Sequence, residues 1–146
     1  TYLPKWVRPM AETLGRLGAE RVWVVHGSDG LDELTTTGPS HVCEFHNGAI
    51  REFDLSPEDA GLPLSDPKEL KGGDANYNAD AIRAVLAGET GAYRDIVLFG
   101  AAAALMVAER TNDLKEGVAM ASEAISSGRS LKALETMAAI TNEGVA

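Results

Sequence analysis

Three carboxylates lie close together in the segment His26 to Pro39. Asp29, Asp32 and Glu33 fall within five residues, directly after an apolar run typical of a buried strand. Ligands of open α/β sheets bind beyond the carboxyl ends of the strands, so this position favours a binding role. Adjacent carboxylates suit Mg²⁺, which takes one or two of them and completes its octahedron with water and phosphate oxygens. Asp32 and Glu33 are therefore a candidate magnesium site, although the same residue types also form ordinary solvated acidic loops.

A second segment, Leu70 to Ala79, combines a flexible backbone with a helix start. Gly72 and Gly73 precede Asp74, and the first amides of a helix can bind an anion. The spacing is not that of a P-loop or of a dinucleotide fingerprint. Asp is a preferred N-cap, so the capping role is favoured here. The histidines show no metal-ligand spacing, and no serine, histidine and acid arrangement is evident.

Composition limits the classes of function. The chain has 146 residues and a formal net charge of −9, which opposes a nucleic-acid surface because such surfaces need clustered cations. The longest apolar run, Ile96 to Ala108, has 13 residues, whereas a membrane-spanning helix needs about 20. Cys43 is the only cysteine, which excludes an intrachain disulfide and favours a reducing compartment. We expect a cytoplasmic protein with a buried Cys43.

The first half of the chain predicts a helix followed by three strands. The helix extends from Leu3 to Leu17, and its apolar positions share one face. The first strand is short and β-branched, apolar on both faces, and should be covered on each side. The turn pair Asn47-Gly48 predicts a hairpin. The expected apolar face of the helix is Val7, Met10, Leu14 and Leu17; the expected strands are Arg21 to His26, His41 to His46 and Ala49 to Leu55; a loop with one short helical turn near Ser56 covers Ser56 to Gly73.

The second half predicts four helices. The one from Arg94 to Arg110 is apolar around its whole circumference, so we expect it to be the most buried element of the protein. Asp113 and Glu116 have capping-box spacing. The other three expected apolar faces are Ala75, Ala79, Ile82, Val85 and Leu86 after the cap Asp74; Leu114, Val118, Ala121 and Ile125; and Leu131, Leu134 and Met137 in a last helix from about Arg129 to Ile140.

The fold class that follows is α/β, a partial sheet of about three strands including one hairpin, with a helical carboxy-terminal tail. Three strands are few for a buried first strand, so we expect further strands upstream of Thr1.

The carboxylate loop and the glycine-rich segment together resemble anthranilate phosphoribosyltransferase. The family pattern His-Gly-x-Asp-Gly-Leu-Asp-Glu is matched from His26 to Glu33, and Leu-Lys-Gly-Gly-Asp-Ala from Leu70 to Ala75. Further matches cover nearly the whole chain. Gly100 departs from the family, which commonly has Asn there, in what should be a buried helix. The residues that continue the resemblance are Asn78, Ala79, Ile82, Arg83, Val85, Leu86, Gly88, Arg94 to Leu98 and Ala101 to Ala104.

The resemblance implies a fold, a reaction and a cofactor. Residues 1–146 would be the carboxy-terminal portion of the α/β domain of a nucleoside phosphorylase/phosphoribosyltransferase-type enzyme. Asp32 would hold one Mg²⁺, with Glu33 able to bridge two. The reaction would transfer the phosphoribosyl group of phosphoribosyl pyrophosphate to anthranilate, in tryptophan biosynthesis. No catalytic base is assigned, and no substrate-binding residue can be named.

The resemblance also implies what this chain does not contain. We find neither the family's glycine-rich phosphate loop nor its anthranilate-binding residues, so we expect a fragment that is inactive alone. The full-length enzyme would be a homodimer through a small helical domain outside this chain. Two alternatives remain: a related non-catalytic protein that binds nucleic acid or a regulatory ligand, opposed by the net charge and the intact Asp32-Glu33 pair, and a stand-alone magnesium- or phosphate-binding module, opposed by the missing sheet partners.

Overall fold

A computed structural model of the protein describes residues 1–143. It contains five α-helices, three strands and three short 3₁₀ turns within those residues. None of the helices in this range is long and apolar enough to cross a membrane. The helices are α1 (Val7–Arg16), α2 (Ala75–Leu86), α3 (Ala92–Val107), α4 (Leu114–Ser126) and α5 (Arg129–Asn142); the strands are β1 (Arg21–Gly27), β2 (Ser40–His46) and β3 (Ala49–Leu55); the turns are Pro4–Trp6, Pro57–Ala60 and Pro67–Leu70.

The three strands form one antiparallel sheet in the order β1-β2-β3. The predicted hairpin is confirmed: Asn47 and Gly48 adopt φ angles of 50° and 77°, the left-handed pair that a type I′ turn requires. β1 is covered on both faces, as expected. Val24 packs against α1 and Trp23 against α3. Among the described residues β1 is an edge strand, with β2 on one side only.

Helix α1 forms where it was predicted, and its predicted apolar face is confirmed at Val7 but wrong at Met10, Leu14 and Leu17. Val7 and Ala11 are buried against the sheet, whereas Met10 and Leu14 are 44% and 40% exposed. A Cβ added at Gly15 would lie 2.5 Å from the Phe45 ring. The face that meets the sheet is therefore the one whose residues are small enough for close approach. Leu17, expected on the apolar face, lies beyond the helix and is also exposed.

The second face of the sheet packs on α3, which was expected to be the most buried element. That expectation is wrong. Four of its sixteen residues are buried, against four of seven in β2. Phe99 and Ala103 belong to the core, whereas Val97 and Gly100 lie on an exposed side. A Cβ at Gly100 would meet nothing within 4 Å, so Gly100 is not the buried packing position that we expected.

For the remaining helices, the predicted bounds agree with the structure better than the predicted buried faces do. In α4 the predicted face is buried at Leu114, Ala121 and Ile125, as expected. In α2 only Val85 is buried, and α5 has no buried residue, although Met137 was expected to face inward. Asp113 caps α4 by accepting the Glu116 amide at 2.9 Å, while the Glu116 carboxylate accepts the Thr111 hydroxyl rather than closing a capping box. The α/β class with a three-stranded partial sheet is confirmed.

Candidate metal site at the end of the first strand

Asp32 and Glu33 lie in the loop that joins the end of β1 to the start of β2. Both are exposed, whereas the next residue, Leu34, is 5% exposed and packs in the core. Both side chains line one open groove of about 530 Å³ between β1 and α3, whose other walls are mostly apolar. The sequence placed the pair in an exposed loop beyond a strand end, and the structure has that arrangement.

Asp29, the third carboxylate of the segment, points elsewhere. Its Oδ2 accepts hydrogen bonds from the hydroxyls of Thr35 at 2.5 Å and Thr37 at 3.0 Å. Its Oδ1 accepts the Leu31 amide at 3.1 Å, which is an Asx turn. Asp29 therefore stabilises the loop, while no side-chain hydrogen bond of Asp32 or Glu33 is present in the part of the chain that the structure describes.

The pKa shifts distinguish Asp29 from Glu33, as the hydrogen bonds do. Burial alone would raise the pKa of Asp29, but the hydrogen bonds from Thr35, Leu31 and Thr37 outweigh it and lower that pKa below its ordinary value. The pKa of Glu33 is raised, first by burial and then by repulsion from Asp32 and Asp29. Within residues 1–143 no ion pair involves Asp32 or Glu33. Mutually repelling carboxylates without an ion pair among these residues are what a bound cation would stabilise.

These two carboxylates fit a magnesium ion that the protein holds only in part. No three His, Cys, Asp or Glu side chains in the described part of the chain are grouped to hold a metal, so this chain does not supply a complete cage. Two carboxylates at the side of an open groove would leave most of the octahedron to water and to substrate oxygens, which is the usual way that proteins bind Mg²⁺.

The other two candidate positions have structural roles. Asp74 caps α2 by accepting the Tyr77 amide at 2.9 Å, so the favoured capping role is confirmed. Asn78 bonds both backbone groups of Gly73, its Oδ1 to the amide and its Nδ2 to the carbonyl. His26 lies at the end of β1, where its Nδ1 donates to the Thr1 carbonyl at 2.8 Å.

The sequence reasoning missed the two threonines that hold Asp29. The run Thr35-Thr36-Thr37 follows the carboxylates directly, and Thr35 is fully buried. A buried threonine needs a hydrogen-bond partner, and an Asp a few residues away in the same loop is a natural candidate. The sequence shows the three threonines beside Asp29, but which of them bonds to it is seen only in the structure, because Thr36 is also fully buried and its Oγ1 has no partner among the described residues.

Comparison with protein families places the chain in one of them. Residues 1–131 match the family model described as the glycosyl transferase family, α/β domain. The chain therefore belongs to this family.

The similar curated proteins are anthranilate phosphoribosyltransferases, which confirms the resemblance seen in the motifs. The enzyme of Rhodospirillum rubrum is 58% identical over 139 residues, covering 95% of this chain and 40% of the relative. That of Bradyrhizobium diazoefficiens is 54% identical, covering 94% and 41%. The chain thus spans about 40% of the length of these relatives.

Solved structures agree with this placement. The anthranilate phosphoribosyltransferase of Thermus thermophilus superposes with a TM-score of 0.82 at 43% identity, over 92% of this chain and 40% of that one. The Saccharomyces cerevisiae enzyme in complex with phosphoribosyl pyrophosphate and Mg²⁺ has a TM-score of 0.83 at 24% identity, over 92% and 39%. At that identity the yeast structure supports the fold.

Proposed function

We propose that the protein containing this chain transfers the phosphoribosyl group of phosphoribosyl pyrophosphate to anthranilate, and that this chain supplies Asp32 and Glu33 as ligands of Mg²⁺. The observation that carries the proposal is the position of this free carboxylate pair, in a chain 58% identical to an enzyme of that name. The pair lies beyond the end of β1, where α/β sheets bind their ligands.

In the proposed reaction the anthranilate amine forms a bond to the anomeric carbon of the ribose, the bond from that carbon to pyrophosphate breaks, and the amine releases one proton to solvent. Mg²⁺, when bound, supplies charge neutralisation for the departing pyrophosphate. Asp32 and Glu33 present oxygens to the groove, and neither is assigned a proton-transfer role. The walls contributed by β1 and α3 are mostly apolar, so that Asp32, Glu33 and Arg21 are the charged residues that line this groove.

We propose further that residues 1–146 are the carboxy-terminal portion of the enzyme's α/β domain. Among the described residues β1 pairs with a strand on one side only, and its open edge presents backbone groups that an additional strand would pair with. The phosphate loop, the anthranilate-binding residues and the helical domain of a homodimer would then come from the remaining length seen in the relatives. A cytoplasmic location is inferred from the single, buried Cys43, which cannot form an intrachain disulfide.

A hybrid enzyme tests the proposal. The 139 matching residues of the Rhodospirillum rubrum relative are replaced by those of this chain, and loss of anthranilate fluorescence is followed with phosphoribosyl pyrophosphate and Mg²⁺. We expect Mg²⁺-dependent turnover by the hybrid and none by the 146-residue chain alone, because misplacement of substrates by about 1 Å already costs on the order of a hundredfold. A folded hybrid without turnover, beside an active parent enzyme, would contradict the proposed function.

A further inference from the structure

The residues from Leu31 to Thr35 form a short arch that carries both proposed metal ligands. At one end the Leu31 amide donates to Asp29 Oδ1 at 3.1 Å, and the Leu31 carbonyl accepts the Gly27 amide at 3.0 Å. At the other end the Thr35 hydroxyl donates to Asp29 Oδ2 at 2.5 Å. A single carboxylate, that of Asp29, therefore fastens the arch on both sides of Asp32 and Glu33.

We propose that Asp29 is the positioning residue of the metal site: it fixes the two ends of the arch so that Asp32 and Glu33 face the groove together. The inference rests on the proposed function for its link to turnover, but its geometry is independent of that function. Groups that orient metal ligands from behind commonly change metal affinity or activity by about 10- to 100-fold when removed.

Two neighbouring features show that the arrangement is closely fitted. A Cβ added at Gly27 would lie 2.6 Å from Asp29 Oδ1 and 3.1 Å from the Glu33 carbonyl oxygen, so only glycine allows the loop to fold back onto the end of β1. The Thr35 amide donates to the hydroxyl of the fully buried Ser40 at 2.9 Å. The anchor at Thr35 is therefore itself joined to the start of β2.

The chemistry of the three donors provides a conservative variant. The Leu31 amide can only donate, but the hydroxyls of Thr35 and Thr37 can rotate and accept. Asp29→Asn can thus keep its oxygen toward Leu31 and turn its NH₂ toward the hydroxyls, which preserves the anchor without the charge. Asp29→Ala removes the anchor completely. If Asp29 positions the arch, Asp29→Asn should keep the metal binding that Asp29→Ala loses.

The experiment uses the hybrid enzyme and two readouts that do not depend on turnover. Binding of Mn²⁺ in the presence of inorganic pyrophosphate is measured by electron paramagnetic resonance, and exchange of the Thr35 amide is measured by mass spectrometry. For Asp29→Ala we expect the affinity for Mn²⁺ to fall about tenfold and the Mg²⁺ concentration for half-maximal turnover to rise about tenfold. The Thr35 amide should exchange faster. Asp29→Asn should stay within about twofold of the parent, and Gly27→Ala should change in the same direction as Asp29→Ala.

A matched control separates positioning from general loss of stability. Asp113→Ala removes a carboxylate that accepts one amide, that of Glu116, at the start of α4, and should leave Mn²⁺ binding unchanged. Asp29→Asn as impaired as Asp29→Ala would mean that the charge acts on the ion directly and would overturn the proposal, as would parental Mn²⁺ binding by Asp29→Ala. Loss of Mn²⁺ binding rescued by Asn, in a hybrid that shows no turnover, would support the positioning role and count against the proposed function.

Discussion

Glu44 lies at the end of the sheet opposite the carboxylate loop, where its Oε2 pairs with Arg51 of β3 at 3.6 Å. It is 8% exposed, and its Oε1 accepts Arg21 Nε at 3.0 Å, Arg21 Nη2 at 2.8 Å and Trp23 Nε1 at 2.8 Å. Arg21 also donates from Nη1 to the Met106 carbonyl at 2.7 Å. The cluster therefore connects β2 with β1 and α3, the two elements that form the groove.

Glu44→Gln should destabilise the chain strongly. The side chains of Arg21 and Glu44 are only 13% and 10% exposed, so solvent screens them little, and removing one partner of such a pair costs about 3–5 kcal/mol. The lower end, about 3 kcal/mol, applies because the amide oxygen can still accept one donor and Arg21 keeps the Met106 carbonyl. At about 2–4 °C per kcal/mol for a chain of this size, the melting temperature should fall by roughly 6–12 °C.

The stability that Glu44 contributes should decrease as the pH is lowered. Burial alone would raise the pKa of Glu44, but the hydrogen bonds from Trp23 and Arg21 outweigh it and lower the pKa. A carboxyl whose pKa is lower in the folded state stabilises the fold above its unfolded pKa, about 4.3 for glutamate, and loses this contribution as the pH falls through the folded value. The difference between Glu44→Gln and the parent should therefore be full at pH 7 and narrow below about pH 4.

Urea unfolding followed by circular dichroism at a series of pH values measures both effects. Glu123→Gln is the matched control, because Glu123 pairs with Arg129 at 3.2 Å on an exposed surface and such pairs contribute about 0–1 kcal/mol. The reasoning fails if Glu44→Gln costs no more than this control at pH 7, or if the gap does not narrow in acid.

Three further changes have clear expected outcomes. Asp32→Asn with Glu33→Gln in the hybrid enzyme should abolish most turnover while changing stability by only about 0.5 kcal/mol; near-parental turnover across a magnesium titration would refute the metal role. Ala103→Asp buries a charge at a position 8% exposed and should prevent a cooperative melt, whereas Ala104→Asp on the exposed side should melt near the parent. Gly100→Ala should stabilise the chain by up to about 1 kcal/mol, because its Cβ has free space; a lower urea midpoint would show hidden crowding.

Features set by a few adjacent residues could be predicted from the sequence. The hairpin depends on Asn47 and Gly48, which tolerate left-handed backbone angles, and the start of α2 depends on a carboxylate three residues before the amide it accepts. The hairpin turn and the helix start are each determined by residues a few positions apart, so no knowledge of the rest of the fold was needed to predict them.

The buried faces of helices were harder to predict because the cause lies in the partner surface. In α1 the apolar spacing pointed to Met10 and Leu14, but the side that packs on the sheet contains Ala11 and Gly15, where a Cβ added at Gly15 would lie 2.5 Å from the Phe45 ring. In α3 the apolar circumference predicted burial all round, but among the described residues only Leu98, Phe99, Ala102 and Ala103 are buried, because the sheet and α4 pack on part of its surface.

The carboxylate loop shows why spacing alone cannot distinguish a ligand from the residue that positions it. Asp29, Asp32 and Glu33 have similar chemistry and lie within five residues, yet only Asp29 is directed at the buried hydroxyl of Thr35. The hydrogen bonds lower the pKa of Asp29, while the repulsion from Asp29 and Asp32 adds to burial in raising that of Glu33. A cation in the groove would offset the repulsion at Glu33 and leave the hydrogen bonds of Asp29 intact. The carboxylate that is already stabilised by hydrogen bonds is thus the one suited to hold the loop, and the two whose side chains have no hydrogen bond or ion pair within residues 1–143 are the ones suited to bind the ion.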